Sequence, residues 1–328
     1  MEFLSLGGDS LTVATVTASY WQTRSMATGK AAAQIKNGVT EILPSSTETS
    51  HPIQTTASGS RDSKVVLITG ASTGIGRVCG EHLAGLGMTV YGASRSVPAG
   101  VQFHTLRMDV TDDTSVGDGI QQIHQQHGCL DVVINCAGYG IAGAVEETSP
   151  QEAMAQFDTN FFGTHRVCRA VLPILREQRS GVIINISSLA GLLAVPFQAF
   201  YSASKFAMEG MTEALRMEVR PFGIRVALIE PGDFKSEFPA NRVSTADSIK
   251  SNVYRESLER CVGVMREEEK NGKVPYPVAR LVERIINDPS PRLRYTIGPL
   301  GERIGPKLKS ILPYRIYEYL FMKHYKLA

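Results

Sequence analysis

Between residues 64 and 297, short apolar runs alternate with helix-length amphipathic segments, and no other feature restricts the fold of this chain as strongly. The runs occupy residues 65–69, 89–93, 104–108, 132–135, 182–186, 226–230 and 294–297. Most are rich in Val and Ile and lack an alternating polar face, as expected of strands buried on both sides. Strands joined through helices run parallel, so seven of them predict an α/β fold: one Rossmann-type, doubly wound parallel sheet with helices on both faces. In such a sheet the ligand site lies beyond the carboxyl ends of the strands.

At the first of those ends stands Gly70-Ala71-Ser72-Thr73-Gly74-Ile75-Gly76, followed by an amphipathic stretch that runs to Leu86. Glycine permits a tight turn and close backbone approach to a pyrophosphate, and the free N–H groups at a helix start supply partial positive charge. Strand, glycine turn and helix in this order predict dinucleotide binding. Farther along, Tyr201 and Lys205 are four residues apart in a segment read as helix over 201–219, which puts both on one face. A phenol ordinarily keeps its proton to about pH 10. A neighbouring ammonium lowers that value, so the pair predicts a phenol that exchanges a proton near neutrality.

Thr69-Gly70-x-x-x-Gly74-x-Gly76, Asn135-Cys136-Ala137-Gly138, Ser188, Tyr201-x-x-x-Lys205 and Pro231-Gly232 together resemble the short-chain dehydrogenase/reductase family, in the right order over residues 64–238. Within that family, residues 201–210 followed by Pro221-Phe222-Gly223 are similar to the hydroxysteroid and retinol dehydrogenase branch. The resemblance implies hydride transfer between a nicotinamide cofactor and a carbonyl or alcohol. It gives Ser188 the carbonyl oxygen, with Ser187 as the alternative hydroxyl, and Tyr201 the proton. Lys205 then lowers the Tyr201 pKa and holds the nicotinamide ribose, while Asn160 holds a water that connects Lys205 to solvent. Cofactor contacts are implied at Thr69, Gly70, Ser72, Thr73, Gly74, Ile75 and Gly76 in the first turn, and at Asn135, Ala137 and Gly138 after the fourth strand. Pro231, Gly232, Phe234 and Ser236 form the turn that meets the nicotinamide, and Asp109 stands at the adenine unless it is simply a helix N-cap. A homodimer is implied as well.

Cofactor preference is decided just past the second strand, where a carboxylate would bind the free 2′-hydroxyl of NAD. This chain has Ser94-Arg95-Ser96 there, one guanidinium and no carboxylate. That end suits a 2′-phosphate and predicts NADP(H) over NAD(H). Thr73 occupies the place where many NADP-preferring relatives carry a second basic residue.

A formal net charge of +2 over 328 residues gives no large single-sign field, which argues for a small-molecule partner and against nucleic acid. Five cysteines, odd in number and without a Cys-x-x-Cys pair, point to reduced thiols in an intracellular compartment and to no metal site. No run of 18 apolar residues is present, and the start lacks a basic region followed by an apolar core. A cytoplasmic protein is expected. Leu193, Pro196 and Phe197, with Val253, Leu258, Val262 and Val264 as the greasy side of a lid, predict an apolar wall for a hydrophobic ketone or alcohol. Steroid, retinoid and acyl-chain substrates stay open.

The chain divides into an N-terminal extension (1–44), a Ser/Thr-rich linker (45–63), the catalytic domain (64–300) and a basic amphipathic C-terminal extension (301–328). The last carries six Lys/Arg against two Glu, with Ile311, Leu312, Ile316, Tyr317, Leu320 and Phe321 as an apolar series. Such a stripe packs on its own domain or a partner subunit, or rests on an anionic membrane surface. Phe3-Leu4-Ser5-Leu6-Gly7-Gly8-Asp9-Ser10-Leu11 resembles the phosphopantetheine-attachment motif of carrier domains, with Ser10 as the attachment serine. A carrier needs a helix before that motif, so a truncated remnant is expected. A working carrier would instead make the chain a reductase of tethered thioesters, and a non-catalytic nucleotide-binding scaffold is the third alternative.

Overall fold

The computed structural model describes residues 63–328; Ser10 and the remainder of the segment read as extension and linker up to residue 62 lie outside the described residues. The strands, in chain order, are β1 (Val65–Thr69), β2 (Thr89–Ser94), β3 (His104–Arg107), β4 (Val132–Asn135), β5 (Ile141–Ala142), β6 (Gly181–Ile186), β7 (Ile224–Pro231), β8 (Val243–Ser244) and β9 (Arg294–Ile297). The helices are α1 (Gly74–Gly85), α2 (Asp113–His127), α3 (Pro150–Phe157), α4 (Gly163–Gln178), α5 (Ala199–Val219), α6 (Ala246–Lys250), α7 (Arg255–Asn271), α8 (Tyr276–Asn287), α9 (Leu300–Ile311) and α10 (Tyr314–His324).

Seven of the strands form one sheet in the order β3-β2-β1-β4-β6-β7-β9. Every pair in it is parallel. This is the doubly wound sheet that the alternation predicts, and its order reverses between β1 and β4, where a crevice opens at the carboxyl ends. Successive residues of a strand face opposite sides. Val65 and Leu67 of β1 accordingly join the layer filled by α2, α4 and α5, with Ile120, Val171 and Leu215. Val66 and Ile68 join the opposite layer, with Leu83 of α1 and Val282 and Ile285 of α8.

Two connections bring chain to the carboxyl edge. Asp158–Phe162 forms a π-helical turn between α3 and α4, burying Asn160. The short pair β5 and β8 joins the segment after β4 to the segment after β7, with Val243 N donating to Gly140 O at 2.9 Å. At two residues each, these strands leave no period to read in sequence.

The C-terminal helices lie against the same edge. Tyr317 and Tyr325 are buried, and Tyr325 packs with Cys261, Val264 and Met265. Lys309 Nζ donates to Leu192 O at 2.9 Å, and the Asp233 backbone N–H donates to Glu302 at 2.7 Å. The apolar series is therefore split: Tyr317 turns inward, whereas Ile311 and Ile316 are exposed.

Close backbone contact sets the shape of the first turn. Gly70 adopts φ 68°, and a Cβ there would lie 2.7 Å from Ala137 Cα. At Gly76 a Cβ would lie 2.4 Å from Gly70 O, a contact that only movement of the backbone relieves. Gly76→Ala is expected to cost about 1–3 kcal/mol. Thermal unfolding followed by circular dichroism should show the midpoint falling by about 2–10 °C.

Candidate active site

A cavity of about 1330 Å³ runs along the carboxyl ends of the strands, from the glycine turn to α10. Ligand clefts commonly measure about 300–1,000 Å³, so this one has room for an extended ligand and a second beside it. Gly70, Ser72, Thr73, Gly74 and Ile75 line one end with Ser94, Arg95 and Asp109. Ala137 and Gly138 follow, and Ser188, Tyr201, Lys205, Pro231, Gly232, Phe234 and Ser236 line the middle.

Four expected site residues stand behind that wall instead. The Thr69 hydroxyl accepts from Cys136 N (3.1 Å) and Ala137 N (3.2 Å), clasping the end of β1 to the segment after β4. Gly76 packs on the main chain of the first turn, and its backbone N–H bonds to Cys136. Asn135 Nδ2 donates to Asn185 Oδ1 at 2.8 Å, pinning β4 to β6. Asn160 accepts from Tyr139 N (3.1 Å) and donates to Tyr139 O (3.0 Å) and Ser204 Oγ (3.2 Å). Its amide holds the loop after β4 in place.

The first turn fits a phosphate-bearing cofactor. Thr73 at the α1 N-cap makes no side-chain cap, and the first turn carries no acid. Gly74 N–H donates to the Glu237 carboxylate at 2.9 Å, an anion already drawn to the helix start. Arg95 is exposed beyond β2 and, with Arg166 and Thr111, helps hold Asp109 below the usual carboxylate range against the effect of its burial. Asp109 is not the helix cap: Asp112 is, accepting from Thr114 N and Ser115 N, while Asp109 closes its own turn on Thr111 at 2.9 Å.

In the middle of the cavity, Lys205 and Tyr201 share a face of α5. Lys205 Nζ donates to Ile186 O at 2.9 Å and sits 5.9 Å from the centre of the Tyr201 ring. Burial lowers the Lys205 ammonium to about 8, against the pull of Cys136 and Glu209. The lowered phenol expected from the spacing is not found. Burial dominates and pushes Tyr201 up to about 12, with Asp233 and Glu269 adding to the rise while a hydrogen bond to Ser188 and the charge of Arg242 oppose it. A phenol in this setting holds its proton throughout the neutral range, which suits a donor. Ser188 accepts from Ala190 N at 3.1 Å, turning its hydroxyl toward Tyr201. Ser187 is buried, and its side chain acts on the Glu209 carboxyl.

Beyond Tyr201 the wall is apolar, formed by Leu193, Val195, Phe238, Met265, Leu320 and Phe321. Leu193 stands there as expected; Pro196 and Phe197 do not line the cavity, although Phe197 packs against the cluster that holds Leu193, Val195 and Met265. Phe197 takes φ 58° and packs on Ala142, Leu258 and Val262. Val253 precedes α7 and is 80% exposed, so it forms no part of a lid. Four acids also line the cavity, Asp233, Glu268, Glu269 and Glu302, and no sequence pattern marks them as a group. Glu268 and Glu269 sit in a charged run that reads as a solvated face, and Glu302 lies far from every motif.

A doubly wound sheet, a glycine cradle and a Ser188–Tyr201–Lys205 group at its carboxyl edge define a dinucleotide-dependent oxidoreductase. The chain belongs to the short-chain dehydrogenase/reductase family, whose short chain dehydrogenase model matches residues 64–247. It is 41% identical over 257 residues, 78% of this chain and 96% of the relative, to a 3-ketodihydrosphingosine reductase of Bacteroides thetaiotaomicron. A solved short-chain dehydrogenase of Streptomyces avermitilis is similar at 30% identity and TM-score 0.67, covering 80% of this chain and 97% of that one. A Burkholderia phymatum member in complex with NAD is similar at 26% identity and TM-score 0.64, covering 76% and 95%.

Burial, then repulsion from Glu302, Glu269 and Glu268, raises Asp233 to about 8, against the pull of Arg242. Its ordinary value is 3.8, so between these values the folded protein holds a proton that the unfolded chain has lost. Stability supplied by this group is present below about pH 4 and is lost as pH rises through about 8. Asp233→Asn removes that loss. Thermal melts should show the variant more stable than the wild type at pH 8, by about a few degrees, and the difference shrinking toward pH 5.

Proposed function

We propose that the chain is an NADPH-dependent reductase of long-chain, sphingoid-type ketones. The apolar trough that begins at Tyr201 and runs under α9 and α10 carries this reading, since Leu193, Met265, Leu308, Leu320 and Phe321 offer an alkyl chain a continuous wall. The name of the 41% identical relative agrees with it. Gly70, Ser72, Thr73, Gly74 and Ile75 would hold the pyrophosphate, Arg95 the 2′-phosphate, and the turn from Pro231 to Ser236 the nicotinamide.

When bound, the reduced nicotinamide supplies the hydride. Ser188 and Tyr201 hold the ketone oxygen from two hydroxyls, placing donors where negative charge develops. Tyr201 gives its proton to that oxygen as the carbonyl carbon accepts the hydride, so the alcohol gains one hydride and one proton. Lys205, cationic below about pH 8, stabilises the phenolate left behind and returns a proton to it. Asn160 keeps the loop after β4 in place beside Lys205, where a water completes the path to solvent. Among the described residues no helix is long and apolar enough to cross a membrane. The exposed Ile311 and Ile316 beside Arg315 fit contact with a lipid surface, from which such a substrate would come.

Tyr201→Phe removes the proton and is expected to lower kcat by about a hundredfold or more, with NADPH binding retained in fluorescence titration. Residual reduction near the wild-type rate would defeat the assignment. Arg95→Ala should raise the KM for NADPH about tenfold or more while leaving that for NADH nearly unchanged.

A further inference from the structure

The far side of the cavity carries more acidic groups than the reduction uses. Four carboxyl groups line it, Asp233, Glu268, Glu269 and Glu302, with Arg242 and His324 in the same wall and Arg266 also acting on Glu269. His324 takes Glu268 at 3.2 Å. Arg242 takes one oxygen of Glu269. The other, Oε2, has no hydrogen-bond partner although the Glu269 side chain is only 6% exposed. Asp233 spends its backbone N–H on Glu302, and its own carboxyl, buried and crowded by Glu302, Glu269 and Glu268, keeps a proton to about pH 8 that a bound cation would release. A buried carboxylate oxygen without a donor is costly, and a neutral ligand would leave these oxygens as they are.

The position of this charge matters as much as its amount. Phe238 ties this group to the phenol: its ring centre is 5.5 Å from that of Tyr201 and 5.9 Å from the Arg242 guanidinium, which pairs with Glu269, and Asp233 lines the same cavity. Nε and Nη1 of Arg242 also lack acceptors. The same corner therefore asks for a cationic donor and for an oxygen acceptor, both close to the reacting carbon. We propose that Asp233 and Glu269 form a subsite for a primary ammonium on the carbon next to the ketone, with Arg242 receiving a neighbouring hydroxyl oxygen. The chain is then selective for 2-amino ketones over neutral ketones of equal length. This rests on the reading that the trough holds a long-chain ketone, and it assigns the head-group contacts which that reading leaves open.

The test compares three ketones of one chain length with the full chain and NADPH: a 2-amino-3-ketone, its N-acetyl derivative and the 3-ketone without nitrogen. The amino ketone should have a kcat/KM at least about tenfold above both others, the effect of one hydrogen bond between charged groups. In Asp233→Asn and in Glu269→Gln that ratio should fall toward one, through a higher KM for the amino ketone. A second readout needs no turnover: a long-chain 2-amino alcohol should raise the thermal midpoint more than the amine-free alcohol, and each variant should lose the difference. Equal kcat/KM for the three ketones in the wild type overturns the subsite and leaves the ketone reading standing. Amine-dependent stabilisation without turnover of any ketone supports the subsite and tells against the ketone reading. Absence of both effects overturns the subsite. If one variant fails to fold, the wild-type ratio and the other variant still decide.

Discussion

The ammonium of Lys205, buried and bonded to the Ile186 carbonyl at 2.9 Å, is the contact on which the site depends. It anchors α5 to the end of β6, and Tyr201, one turn earlier, is thereby fixed over the same strand end. Ser188, two residues beyond Ile186, meets the phenol from the turn that follows β6. The three groups are thus set by one strand end and one helix, both rigid elements. Desolvation is what gives them their chemistry: it weakens the hold of Lys205 on its proton and strengthens that of Tyr201. Those two shifts leave the phenol protonated at neutral pH.

Legibility in the sequence followed the physical range of each interaction. Strands β1 and β4 have the predicted bounds because apolar runs between turn signals record two-sided burial directly, and the edge strand β9 matches its predicted bounds as well. The Tyr201 and Lys205 spacing recorded a shared face but not the depth of burial, and for that reason the direction of the Tyr201 shift was misread. Phe197 was placed in the wall because an apolar residue between two motifs fits there, yet its left-handed backbone turns it onto α7. Asp233, Glu269 and Glu302 come from three segments that are distant in sequence, and only the fold brings them to one cavity. No local pattern carries such a meeting.

The C-terminal helices join these themes. Their inner side, through Tyr317, Phe321 and Tyr325, lines the cavity, and Glu302 accepts from the turn after β7. Their outer side keeps Ile311 and Ile316 in solvent. The cavity is thus lined both by the family motifs and by helices that follow the matched region. Residues 64–247 carry the family likeness, and the segments after it build much of the pocket.

Isotope transfer tests the central claim most directly. The full chain is incubated with NADPH deuterated at the transferable position of the nicotinamide and a long-chain 2-amino-3-ketone, and the product is examined by mass spectrometry and NMR. The account predicts one deuterium, on the carbon that bore the ketone, in a single configuration. An alcohol without deuterium at that carbon, or recovery of the ketone unchanged, would contradict it.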